Sequence, residues 1–244
     1  MHHSPVWKKY MMRFIVRLFI LAAFVLAYFF RRGWFTVLEG MNFFRRFSPL
    51  HLLWGLWMGD MVLQLIPARP HVALGSQKHL ACHYDPGQTP EADVLRAFIN
   101  ASDRGALKVL VIWAVLTLVL GVLHLKGKLG AAELLLVSVL FFVCDLICVL
   151  FWCPFRVFLM KNRCCTTCRI FNWDHLMMFS FLVFVPSFYT LSLFGASLGV
   201  FLVWEVRFHR HPERFWSRTN RALRCVSCTD RLCTHTASID RAIK

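Results

Sequence analysis

Residues 107–125 and 131–152 are two apolar runs with only Lys126-Gly127-Lys128-Leu129-Gly130 between them. Each is close to the roughly 20 residues that a helix needs to cross a hydrocarbon core. In that core every backbone N–H and C=O has to be satisfied within the chain, so a run of this length is a helix. A connection this short makes the two helices antiparallel neighbours. The whole composition agrees: hydrophobic residues make up 58% and charged residues only 17%, against about 25% charged in soluble domains. Mean hydropathy is +0.55. So much apolar side chain cannot hide inside one core, which excludes a disordered chain and argues against an ordinary soluble enzyme. The expected fold class is all-α: a polytopic helical membrane protein with about four to six membrane-embedded helices and a small Cys-rich cytoplasmic cap.

Three further blocks extend this pattern. Residues 13–30 form a short candidate span in which Arg13 and Arg17, one turn apart, would snorkel from one face. A cleaved signal peptide is the rival reading; it fails because Ala27-Tyr28-Phe29-Phe30 lacks a small-residue cleavage site. Trp34, Val37, Leu38, Met41, Phe44 and Phe47 repeat with helical period, which predicts a helix lying in the headgroup plane. Residues 49–66 carry His51, Asp60 and Gln64 in an otherwise apolar run. Residues 170–206 are too long for one ordinary span and hold Pro186-Ser187 near their middle. In the polar loop 68–106, Thr89-Pro90-Glu91 predicts the start of a short amphipathic helix ending near Gly105. The organisation is therefore N-terminal membrane and interfacial helices (1–67), a polar loop (68–106), a membrane bundle (107–206) containing a Cys-rich linker (153–169), and a basic tail (207–244).

Lys and Arg number 28 against 13 acidic residues, a net charge of +15. In so hydrophobic a chain this is first a topology signal and a contact for anionic lipid headgroups, with no specific nucleic acid implied. The linker holds Arg156, Lys161, Arg163 and Arg169 and no acid, and the tail holds nine Lys or Arg against three acids. Both read as cytoplasmic, and the expected location is a bacterial plasma membrane. An even number of crossings then separates them, so 170–206 is expected to form a helical hairpin; a single kinked helix is the alternative. The same rule leaves Arg31, Arg32, Arg45 and Arg46 on the disfavoured side.

Cysteine spacing is the sharpest chemical signal. Cys165 and Cys168 form one C-x2-C pair in the linker, and Cys225 and Cys228 form another in the tail. Two such pairs supply the four soft ligands of a closed tetrahedral zinc site, and reduced cytosolic thiols favour metal over disulfide. Cys164 and Cys233 would be spare ligands, fitting an iron–sulfur cluster or a second ion with Cys153 or His235. Unrelated or palmitoylated surface cysteines are the plain alternative. His71, His79, Cys82 and His83 form a weaker cluster in the polar loop, where a histidine is commonly just a polar side chain.

Asp60, Asp145 and Glu205 fall inside apolar blocks, where an ionised carboxylate costs about 2.5–3.5 kcal/mol even on insertion scales. Asp60 and Gln64 lie one turn apart beside Trp57, and Asp145 shares a face with Cys148 and Trp152. These are read either as an ion, proton or substrate path, or as groups paired with Arg or hydroxyls; Glu205 is read at the water boundary beside Arg207. No nucleotide-binding glycine loop, hydrolase elbow or metalloprotease motif is present. Lipid chemistry by His51 and Asp60 has no support in their spacing. The leading expectation is a membrane protein whose linker and tail are clamped by a thiolate-bound zinc. The rivals are an iron–sulfur or dithiol electron relay, and a transporter using Asp60 and Asp145.

Overall fold

The computed structural model describes residues 5–67, 77–162, 164–228 and 232. Among them the chain folds into α1 (Pro5–Phe30), α2 (Leu50–Leu65), α3 (Ala92–Leu125), α4 (Ala131–Leu150), α5 (Asp174–Phe179) and α6 (Phe188–Arg210), with short 3-10 turns between and no named strand. By length and composition α1, α3, α4 and α6 are able to cross a membrane. The all-α polytopic membrane class therefore holds.

α4 is the central helix. Leu134, Leu135, Ser138, Val139, Phe142, Val143, Leu146 and Leu150 are buried, a wide face recurring every three to four residues. α1 lies antiparallel to it, because Arg17 meets Asp145 near one end and Tyr28 meets Glu133 near the other. α2 packs on α6, where the Tyr189 hydroxyl donates to Leu50 O at 3.1 Å and Trp54 Nε1–H to Ser192 Oγ at 2.9 Å. The outward sides of α1 (Phe19, Phe29) and α3 (Leu107, Val115, Leu118) are exposed and apolar, a surface that only lipid covers at low cost.

The stretch before α6 is a broken arm: a 3-10 turn (Arg169–Trp173), α5, a second 3-10 turn (Ser180–Phe184), and a reversal at Val185-Pro186-Ser187. Ser187 Oγ caps α6 by accepting from the Thr190 N–H at 3.2 Å. The arm returns antiparallel to α6, so Arg169 and Trp173 both meet Glu205. Irregular backbone at membrane depth persists only where neighbours satisfy its polar groups. Here Trp113 Nε1–H donates to Met177 O at 3.1 Å, Ser138 Oγ–H to Met178 O at 2.9 Å, and Thr190 Oγ1–H to Val185 O.

Three local expectations are corrected. Residues 34–47 are not one amphipathic helix but two 3-10 turns, Arg32–Leu38 and Asn42–Phe44, separated by Gly40 at φ +52°. Val37 and Leu38 enter the core while Met41, Phe44 and Phe47 stay exposed. The apolar period ran on past a glycine whose left-handed backbone ends a helix. Gly105 ends nothing: α3 runs through it, and a Cβ there would stand 3.0 Å from Met160 Sδ and 3.2 Å from Leu159 O. It is a point of close approach. Arg17, finally, does not snorkel; it is 5% exposed and turned into the bundle.

At the end of the bundle that carries the linker, the polar loop docks on the tail. The Gly87 N–H donates to Thr219 O at 2.7 Å, and Asn220 Nδ2–H to Lys78 O at 3.1 Å. The His79 ring stacks on Phe215 at 4.2 Å, its Nδ1–H donating to Arg214 O at 3.0 Å. Burial of that imidazole lowers its pKa to about 4.

Candidate functional site

The polar residues singled out in α2 and α4 meet in one buried network, completed by residues that spacing did not flag. Asp145 binds Arg17 Nη1 at 2.7 Å; the same nitrogen donates to Phe142 O at 2.6 Å, and the guanidinium lies 3.8 Å from the centre of the Phe142 ring. On the facing side, Gln64 Nε2 lies 3.0 Å from Asp174 Oδ2 and 3.2 Å from His175 Nδ1. His175 Nδ1 is 3.1 Å from Asp174 Oδ1, and Nε2 is 3.5 Å from Asp60 Oδ2. His175 is only 1% exposed. Asp174 and His175 both act electrostatically on the Asp145 carboxylate, which joins the two halves.

The Nδ1 atom of His175 has two neighbours with opposite demands. Carrying a proton, it donates to Asp174; lacking one, it accepts from the Gln64 amide. The charges reinforce this duality. Arg17 pairs with Asp145, and Arg17 and Arg13, one turn apart on α1, both act electrostatically on Asp60, while Asp174 is the third carboxylate of the set. Two cations cannot neutralise three carboxylates, so the set reaches neutrality only when one proton is held. Gln64 Oε1 and Trp57 Nε1 are buried without a hydrogen-bond partner among the described residues, and His175 Nε2 has only its long 3.5 Å approach to Asp60. Toward the opposite end of the bundle, Trp57 packs on Phe142 at 5.8 Å and on Phe179 at 5.0 Å, an aromatic layer beneath the charged groups.

Asp174, His175 and Arg17 are the members of the network that sequence reasoning missed. An arginine centred in an apolar run, in a chain with intramembrane aspartates elsewhere, was the available signal. His51 is separate: it sits at the other end of α2, about 14 Å from Asp60 at 1.5 Å per residue, and its Nε2 is taken by Phe43 O at 2.8 Å. Glu205 pairs with Arg169, which also reaches Asp103, so one buried guanidinium pins α3, the arm and α6 together.

The cysteines gather at the linker end around an open cleft of about 1420 Å³ between linker and tail. Cys148, Cys164, Cys165 and Cys225 line it, while Cys168 is buried on the other side of the linker against Ala106, Val109 and Trp173. Cys225 is exposed and Cys228 half-buried. Cys165 turns toward α4, its thiol donating to Cys148 O at 3.0 Å. Cys153 is in hydrogen-bond contact with the thiols of Cys148 and Cys165, and these contacts favour charge on its sulfur, whereas burial raises the Cys168 thiol to about 12. Among the described residues no three His, Cys, Asp or Glu side chains converge as a metal ion requires. Cys233, His71 and His235 lie outside the described residues. His79 is taken up in packing, and Cys82 is exposed.

Comparison with protein-family models, curated proteins and solved structures returned no match.

Proposed function

We propose that this integral membrane protein couples proton binding at His175 to transport across the bilayer, with the linker and tail facing the cytoplasm. The observation that carries the reading is the pair of alternatives at His175 Nδ1, Asp174 as acceptor and Gln64 as donor, inside a network one proton short of neutrality. Intramembrane ionisable groups that face a bundle interior and pair with one another mark ion and proton pathways. The broken arm adds to this, since discontinuous segments are where transporters build such sites. The aromatic layer of Trp57, Phe142 and Phe179 separates the network from the far end, which suits an alternating site rather than an open channel. Orientation follows from the concentration of Lys and Arg in linker and tail.

The test is proton uptake by proteoliposomes under an imposed potential, read by an enclosed pH-sensitive dye. Wild-type protein should acidify the lumen at a rate that His175→Gln and Asp60→Asn each lower at least about tenfold, a barrier increase near 1.4 kcal/mol. Folded His175→Gln protein with the wild-type rate, or wild-type protein without flux, overturns the proposal. A thiolate zinc clamp is the second reading, supported by Cys164, Cys165 and Cys225 lining one cleft. Zinc near one per chain, lost in both Cys165→Ser and Cys225→Ser, would establish it.

A further inference from the structure

Neither the proton network nor the two C-x2-C pairs accounts for a grouping of three thiols, Cys148, Cys153 and Cys165, among the described residues. Cys153 follows α4 and Cys165 lies in the linker turn. The sulfur of Cys153 is in hydrogen-bond contact with the thiols of both Cys148 and Cys165. Its position is fixed by the Arg156 backbone N–H, which donates to it at 3.4 Å. Cys165 is held in turn by its bond to Cys148 O at 3.0 Å. Cys153 and Cys165 thus meet sulfur to sulfur from different segments, whereas Cys168 is buried elsewhere.

The way in is chemically selective. Both sulfurs are buried, but Cys165 lines the cleft, as do the more exposed Cys164 and Cys225, and Cys153 does not, so of the pair Cys165 is the one reached from the cleft. Among the described residues seven Lys and Arg side chains line the cleft, Arg104, Lys108, Lys161 and Arg218 among them, and no acid does. A cleft lined by one sign of charge raises the local concentration of the opposite ion.

We propose that Cys153 and Cys165 form a reversible dithiol–disulfide couple, oxidised by an anionic low-molecular-weight disulfide that enters this basic cleft. In the first step the Cys165 thiol passes its proton to the adjacent Cys153 sulfur, on which their hydrogen bond favours charge, and attacks one sulfur of the external disulfide. That S–S bond breaks, and the first external thiolate departs. In the second step the Cys153 sulfur gives up the proton it received, attacks the Cys165 mixed disulfide and expels the other external sulfur, which takes that proton. One protein thiol and one protein thiolate are oxidised to one disulfide, and one external disulfide is reduced to a thiol and a thiolate. The bond would tie the end of α4 to the Cys-rich linker, beside the cleft and away from His175.

The experiment treats the purified full-length protein with oxidised glutathione or with the cationic disulfide cystamine, blocks remaining thiols, and maps the bonds by peptide mass spectrometry. The expected result is a Cys153–Cys165 linked peptide, reversed by reduced glutathione. At low salt oxidised glutathione should form it about tenfold faster than cystamine, and the gap should close in high salt. Cys153→Ser should stop at glutathione on Cys165, a species identifiable by mass. Bonding of either residue to Cys148 instead, bonding confined to Cys225 and Cys228, a metal ion that shields Cys165, or a faster reaction with cystamine would each overturn the proposal. Wild-type mapping decides the question even if the serine variant does not fold.

Discussion

Replacing Asp145 with Asn leaves the Arg17 guanidinium buried without its counter-charge. Arg17 is 5% exposed and bonded to Asp145 at 2.7 Å. Removing one partner of such a pair costs about 3–5 kcal/mol, because the remaining charge is stranded in a poor solvent. The retained bond to Phe142 O and the contact with the Phe142 ring place the expected loss toward the lower bound, near 3 kcal/mol. Arg17→Met strands the carboxylate and should cost a similar amount. The double variant Arg17→Met with Asp145→Leu removes both charges at similar volume and should lie within about 1 kcal/mol of wild type, or above it. The coupling energy of this cycle is therefore several kcal/mol. It can be measured by unfolding in mixed micelles of rising SDS fraction, followed by tryptophan fluorescence. If each single variant costs less than about 1 kcal/mol and the two effects add, Arg17 faces lipid and the network is not built as described.

Two other consequences are as direct. Arg169→Lys should destabilise the junction of α3, the broken arm and α6 almost as much as Arg169→Ala, because the shorter side chain with one nitrogen cannot keep the two-nitrogen grip on Glu205 and still reach Asp103; limited proteolysis of the linker should report it. The His79 contact should weaken in acid. With its folded pKa lowered to about 4, the unfolded imidazole binds a proton first as pH falls below about 6.5. The stabilisation is thus whole above that pH and lost as pH drops through 4, on the order of 3 kcal/mol in all. Protease access to the loop–tail junction should rise over that interval in wild type and be nearly flat in His79→Gln.

What the sequence makes legible is what local composition dictates. The hairpin of α3 and α4 is visible because each run is long, apolar and bounded by a five-residue turn, and no tertiary contact is needed to infer it. Asp60, Gln64 and Asp145 stand out for a related reason, the cost of polar groups in an apolar run. Their partners do not. Asp174 and His175 sit at the start of a block where polar residues look like a boundary, and only the return of the arm along α6 carries them to α2. Residues 34–47 mislead because an apolar period survives a glycine that the backbone does not. Cys148 and Cys153 belong to no C-x2-C pair, so their meeting with Cys165 depends on where α4 ends relative to the linker.

The most direct test of a proton-holding network is a difference titration. Purified wild-type and His175→Gln proteins, matched in detergent, are compared for protons bound as pH is swept from about 11 to about 4. The network predicts about one proton fewer in the variant, and a wild-type uptake that moves along the pH axis in Asp60→Asn. Superimposable curves for all three proteins would contradict it.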